Sequence, residues 1–200
     1  PAKLEVFVFK LHFEQQSKDL DSGLMLITQT TNEVKSSLLF SRIMQTILQL
    51  GNALNRGTMR GQATGFKLES LQKLTDTRAG NNKTTLMHYL CKLLSEKEPD
   101  LLEFAKELPS LEPAGKVNLN QLAEEMSSLN RGLESAACEM NKAEGEGEGS
   151  AVFRDAIKIF LEKAEATACD LSTKYADAVR GAEGLVSYFG EQGAKMPFEK

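Results

Sequence analysis

The sequence predicts an all-α, elongated helical protein: a compact helical post followed by a long antiparallel helical hairpin. Three observations carry this. Apolar residues recur at steps of three and four through most of the chain. Beyond residue 112 they form two heptad-like seams separated by one glycine-rich break. Strand-like alternation is confined to the opening EVFVFKLHF, and no later segment offers it a partner.

That opening reads as an extended lead-in. From Gln15 the pattern becomes helical, with Asp19 or Asp21 as a candidate cap for a helix running through Leu24 and Ile27 toward Val34. Leu39, Ile43, Ile47, Leu50 and Leu54 then mark one face of a clearer helix. Phe40, Met44 and Leu48 widen that face, so burial on much of its surface is expected.

GNALNRGTMRGQATG follows, with four glycines and two asparagines in fifteen residues. It is basic and lacks an apolar period, and it predicts a loop of about ten residues, a length that often carries function. FKLESLQKL is a short amphipathic piece and TDTRAGNNK a second loop. Thr84 or Asn82 is placed to cap TTLMHYLCKLLSE, where Leu86, Leu90, Leu93 and Leu94 share a face. Pro99, Pro109 and Pro113 punctuate the turns after it.

The first seam comprises Leu119, Leu122, Met126, Leu129, Leu133, Ala136 and Met140. The second comprises Phe153, Ile157, Phe160, Ala164, Ala168, Leu171, Tyr175, Ala178, Ala182, Leu185 and Phe189. EGEGEGS lies between them; its glycines disfavour a helix interior and its glutamates stay solvated. At ~1.5 Å per residue the second arm would reach roughly 60 Å. The expected division is therefore a post over residues 1–112 and a hairpin over 113–200.

At 41% hydrophobic and 26% charged, the 200 residues suffice for a real core. No apolar run approaches the ~20 residues a membrane span needs, and PAKLEVFVFK lacks the regions of a signal peptide. Three cysteines without close spacing favour reduced thiols and a cytoplasmic setting. The net charge of −4 divides unevenly: neutral over residues 1–50, +5 over 51–95 and −9 over 96–200. A basic island in an acidic chain points to an acidic partner surface, although ordinary charge fluctuation also produces such islands.

No catalytic constellation is visible. His12 and His88 are far apart, and His88 with Cys91 lacks the further ligands that zinc requires. No phosphate-binding glycine motif is present, so no cofactor, metal or enzymatic activity is expected. Nucleic-acid binding competes for the basic island, but the acidic remainder and the lone aromatic Phe66 near the loop argue against it.

The stretch ILQLGNALNRGTMRGQATGFKLESLQKLTDTRAGNNKTTLMHYL resembles the signature region of the formin homology 2 domain. The resemblance rests on Gly51-Asn52-x-x-Asn55, on Gly65-Phe66-Lys67-Leu68, on Leu71-x-Lys73-Leu74-x-Asp76 and on Thr85-Leu86-x-His88-Tyr89-Leu90, in that order and spacing. The flanks LLEFAKELPSLEPAGKV and SYFGE agree, and the wording is closest to plant-type formins. The resemblance implies a non-enzymatic, cytoskeletal actin regulator. In that family two domains join head to tail, each subunit's lasso wrapping the other's post, and the dimer nucleates filaments and tracks their barbed ends. It implies that Gly51, Asn52 and Asn55 belong to the lasso-receiving post. It implies actin contact at Lys67 and Lys73, and less directly at Arg56, Arg60 and Arg78. Gly51 is placed to end the preceding helix and to permit close backbone approach. Asn52 and Asn55 are suited to bonding loop backbone, and plain helix capping remains open for them. Phe66, Leu68, Leu71 and Leu74 read as core. A complete domain of this family is much longer, and the lasso, the linker and most of the knob are expected to be missing at the front. Weak or absent nucleation by this chain follows from that. The alternative is a generic helical self-association scaffold.

Overall fold

The computed structural model describes residues 2–59, 61–78, 84–145 and 150–191. The helices are α1 (Ala2–Ser36), α2 (Leu38–Leu54), α3 (Lys73–Asp76), α4 (Leu86–Lys97), α5 (Leu111–Ala114), α6 (Leu119–Glu144) and α7 (Ala151–Tyr188). Leu68–Leu71 and Pro99–Glu107 are 3-10 segments. Among the described residues there is no strand, only an isolated antiparallel bridge between Arg78 and Thr85. Contacts group the described residues into two compact units: those within 2–28 with those within 113–181, and those within 29–112 with 182–191.

In the first unit, three helical segments pack together. Val6, Phe13, Leu20, Leu24 and Ile27 of α1 are buried, at spacings of seven, seven, four and three. α6 buries Leu122, Met126, Leu129, Leu133, Ala136 and Ala143, and α7 buries Phe153, Ile157, Leu161, Ala164, Ala168, Leu171 and Ala178. α7 runs parallel to α1, because Lys3 bonds Ser150, Phe13 meets the Phe160 ring at 5.2 Å and Asp21 pairs with Lys174 at 2.7 Å. α6 runs opposite to both. Gly23 of α1 lies against Leu122, and Phe9 lies against Gly132. α6 and α7 thus run antiparallel, and α1 packs with them as a third helix.

The opening corrects the sequence reading. EVFVFKLHF is not an extended lead-in but the first turns of the 35-residue α1. Its local alternation matches a strand, yet Val6 and Phe13 lie two helical turns apart on one face, where α6 and α7 cover them. Phe7, Phe9 and Phe13 make edge-to-face contacts with Phe153 and Phe160 at 5.2–6.0 Å. Burial of that face outweighs the modest β preference of valine and phenylalanine. Asp19 and Asp21 accordingly cap nothing: they sit mid-helix, accepting from Gln15 at 2.8 Å and from Lys174.

The second unit is built on Ile43 and Leu50 of α2, Leu74 of α3, Leu90 and Leu94 of α4, and Leu101. Leu39, Ile47, Leu71, Leu86, Met87 and Phe104 pack around them. Ser37 separates α1 from α2 with extended backbone, and its hydroxyl accepts from the Phe40 amide. Two carboxylates pin this junction to the segment before α5. Glu107 accepts from the Ser37 hydroxyl and the Leu39 amide, and Glu33 accepts from the Ser110 amide and hydroxyl. α4 is capped by Thr85, not Thr84, because Thr85 and His88 form a reciprocal capping box. Asn82 lies outside the described residues.

Candidate functional site

α2 does not stop at Gly51. It continues to Leu54, and Asn55 is its C-cap. The Asn55 amide and side-chain Nδ2 both donate to the Gly51 carbonyl, at 3.1 and 2.9 Å. A local bond that satisfies an end carbonyl extends the helix by one turn beyond the position the glycine marks. A Cβ at Gly51 would meet nothing within 4 Å, so no described part of this chain uses the close approach expected there.

Asn52 holds the loop shut. Its Nδ2 donates to the Ala63 carbonyl and its Oδ1 accepts from the Ala63 amide, both at 2.9 Å, so one side chain imitates a paired backbone. Inside this clasp Asn55 accepts from the Thr58 amide at 3.0 Å, and Thr58 accepts from the Gly61 amide at 3.1 Å. The glycines the turn requires are Gly57, with φ +86°, and Gly61, where a Cβ would strike the Asn55 carbonyl. Neither was singled out by sequence, although the NRGT turn was the available signal.

The GFKL segment leads from this loop into the core. Phe66 and Leu68 are half-buried, Leu71 packs against the core and Leu74 is buried within it. Lys67 precedes the 3-10 turn with extended backbone, and Lys73 opens α3. Anchoring the leucines leaves both lysines exposed. Arg56 and Arg78 are exposed as well, and Arg60 lies outside the described residues. Among the described residues Arg56, Lys67 and Lys73 have no ion-pair partner, whereas Arg42 pairs with Glu98, Lys92 with Glu96 and Lys106 with Glu103. Arg78 takes part in other interactions and differs from the three in this respect.

One contributor escaped the sequence reading. α7 ends in a Schellman cap: Gly190 has φ +68°, its amide donates to Ser187, and the Glu191 amide donates to Val186 at 3.0 Å. The cap turns the chain so that the Glu191 carboxylate accepts from the Leu68 amide at 2.8 Å. SYFGE carries the local signal, a glycine at a helix end, but its distant partner has none.

Among the described residues no group of histidine, cysteine and carboxylate side chains could hold a metal, and His88 is engaged in capping. The three cysteines are exposed and unbonded to one another. No described helix is long and apolar enough to cross a membrane. The described features of this region are the loop clasped by Asn52 and the exposed side chains of Arg56, Lys67 and Lys73.

Residues 1–200 match the family model described as Formin Homology 2 Domain. The chain belongs to the formin homology 2 family. It is 52% identical over 199 residues to Formin-like protein 6 of Oryza sativa subsp. japonica, covering all of this chain and 15% of that protein. It is 52% identical over 198 residues to Formin-like protein 13 of Arabidopsis thaliana, covering 99% of this chain and 16% of the relative. Formin-like protein 17 of Arabidopsis thaliana is 50% identical over 198 residues, and the match spans 40% of its length. The chain thus spans well under half of the formin-like relatives it matches, and the helical fold expected from sequence is the one a formin homology 2 chain adopts here.

Proposed function

We propose that this chain is an actin-binding module of a formin, serving filament nucleation and barbed-end elongation in the complete dimeric domain. The observation that carries the reading is the match of the whole chain to the formin homology 2 family. The chemistry is consistent with it. Lys67 and Lys73 are exposed, have no ion-pair partner among the described residues and are set on a turn anchored by Leu71 and Leu74, which suits electrostatic docking on an acidic protein such as actin. Arg56, Arg60 and Arg78 are proposed as lesser contributors.

Gly51, Asn52 and Asn55 are proposed as part of the post that receives the partner subunit's lasso. The two asparagines are committed to the loop's own bonds, so their proposed role is to shape the receiving surface. Gly51 has open space around it among the described residues, and Leu54, one turn on in α2, is an exposed apolar group that an incoming segment would cover. The module is proposed to work without catalysis or cofactor, on the cytoskeleton, with actin and a second domain as partners rather than nucleic acid or membrane.

Co-sedimentation with actin filaments tests the reading. Lys67→Asp with Lys73→Asp should weaken binding about tenfold or more, the scale of two lost charge contacts at an interface. Unchanged binding would refute the assignment. The chain by itself is expected to nucleate weakly, since ring activity belongs to the paired domain; a pyrene-actin assembly assay measures this. A second reading, self-association through helices, is favoured by Leu4, Val8 and Leu11, which are 68%, 46% and 78% exposed along α1. Sedimentation equilibrium of the Leu4→Ser, Leu11→Ser variant would test it.

A further inference from the structure

We propose that Glu191 is a positioning residue that clamps the Lys67–Lys73 turn in its binding form. The inference rests on the actin-binding reading of those lysines and extends it to a residue outside the basic turn. The 3-10 segment Leu68–Leu71 starts without help from its own sequence, because Lys67 at its N-cap provides no side-chain bond. Its first amide is satisfied from 123 residues away, by the Glu191 carboxylate at 2.8 Å. A carboxylate accepting a backbone amide makes a strong, directional bond, and it also suits the positive end of a helical turn.

The carboxylate is itself aimed. Gly190 adopts φ +68° and the Glu191 amide bonds Val186, so the direction in which Glu191 leaves α7 is set by the Schellman cap. Phe189 is fixed beside it by edge-to-face contact with Phe40 of α2 at 6.3 Å. The basic turn is therefore tied at two places. Leu71 and Leu74 hold its far end in the core, and Glu191 holds its near end at the residue next to Lys67. Without the second tie, Lys67 stands on a half-exposed segment continuous with the GNALN loop. Ordering that segment on binding would then cost affinity.

The test uses the whole 200-residue chain with three variants: Glu191→Ala, Glu191→Gln and Lys67→Asp. Amide hydrogen exchange at Leu68 reads the clamp, and filament co-sedimentation reads binding. Glu191→Ala should speed Leu68 exchange and weaken binding, each about tenfold, as expected for loss of a charge-assisted bond. Glu191→Gln keeps an acceptor oxygen but not the charge and should fall between Glu191→Ala and the parent on both readouts. Unchanged Leu68 exchange in Glu191→Ala would overturn the clamp. Faster exchange with unchanged binding, while Lys67→Asp binds weakly, would overturn the positioning role alone. If Lys67→Asp also binds normally, the actin reading fails together with that role, and Leu68 exchange still decides whether the clamp exists.

Discussion

Ser37 and Glu107 form a two-way lock between α1 and α2. The Ser37 hydroxyl donates to the Glu107 carboxylate at 2.6 Å while accepting from the Phe40 amide at 3.0 Å. The same carboxylate oxygen accepts from the Leu39 amide at 3.2 Å, so one acid from the 3-10 segment Pro99–Glu107 helps to start α2. α2 carries the GNALN loop at its other end, and the lock therefore sets the direction in which that loop is presented.

Ser37→Ala removes the cap and one partner of a half-buried carboxylate. It should cost about 1–2 kcal/mol in urea unfolding. Glu107→Ala should cost a similar amount. Because the two groups share one network, the double variant should lose less than the sum of the singles.

Gly51 and Gly132 should respond oppositely to a side chain. Gly51 lies in the last turn of α2 with open space around it, so Gly51→Ala should stabilise the chain by up to about 0.5–1 kcal/mol. If its surface receives a partner, the same change should weaken pairing of the complete domain, seen as a raised dissociation constant in sedimentation. A Cβ at Gly132 would collide with the Phe9 ring, so Gly132→Val should destabilise by about 1–3 kcal/mol despite its place within α6. Thermal melts of the two variants measure the contrast.

Asn52 should control the loop more than the fold. Asn52→Ala loses both bonds to Ala63 and should speed proteolytic cleavage between residues 55 and 65, with global stability changed by about 1 kcal/mol or less. Asn52→Asp keeps the acceptor but not the donor and should fall between Asn52→Ala and the parent. Limited proteolysis followed by mass spectrometry checks the order.

Glu33 gives the fold an acid-sensitive contact. Burial opposes its charge, but hydrogen bonds from the Ser110 amide, the Gln29 side chain and the Ser110 hydroxyl outweigh this and hold its carboxyl below the ordinary 4.5. A lowered folded value means that the stabilisation is complete above 4.5 and is lost as pH falls through that lower value. Glu33→Gln should melt earlier than the parent near neutrality. The two melting curves should converge as the pH is taken well below 4.5.

The legible parts of this molecule are those in which periodicity and burial coincide. The Leu122–Met126–Leu129–Leu133–Ala136 seam and the Ile43–Leu50 face were readable because their spacing matches a helix and no other element contradicts it. EVFVFKLHF was misread because a nine-residue window shows alternation, while the seven-residue interval from Val6 to Phe13 has meaning only once α6 and α7 cover it. Gly51 was misplaced as a helix end because the two Asn55 bonds that carry α2 past it depend on loop geometry. The basic positions were legible as residue types, but the absence of an ion-pair partner for Arg56, Lys67 and Lys73 among the described residues was not.

By itself the sequence determined the helical class, the two seams and, through GNALN, GFKL and LQKL, the formin homology 2 family. These are local properties, encoded in spacing and residue type along one stretch. Only the tertiary structure decided that α1 is a third helix against α6 and α7, that Glu107 and Glu33 pin the α1–α2 junction, and that Glu191 caps a turn 123 residues away. Such contacts join segments whose separation along the chain leaves no periodic trace, and a hydrogen bond between them exists only after the intervening helices have folded.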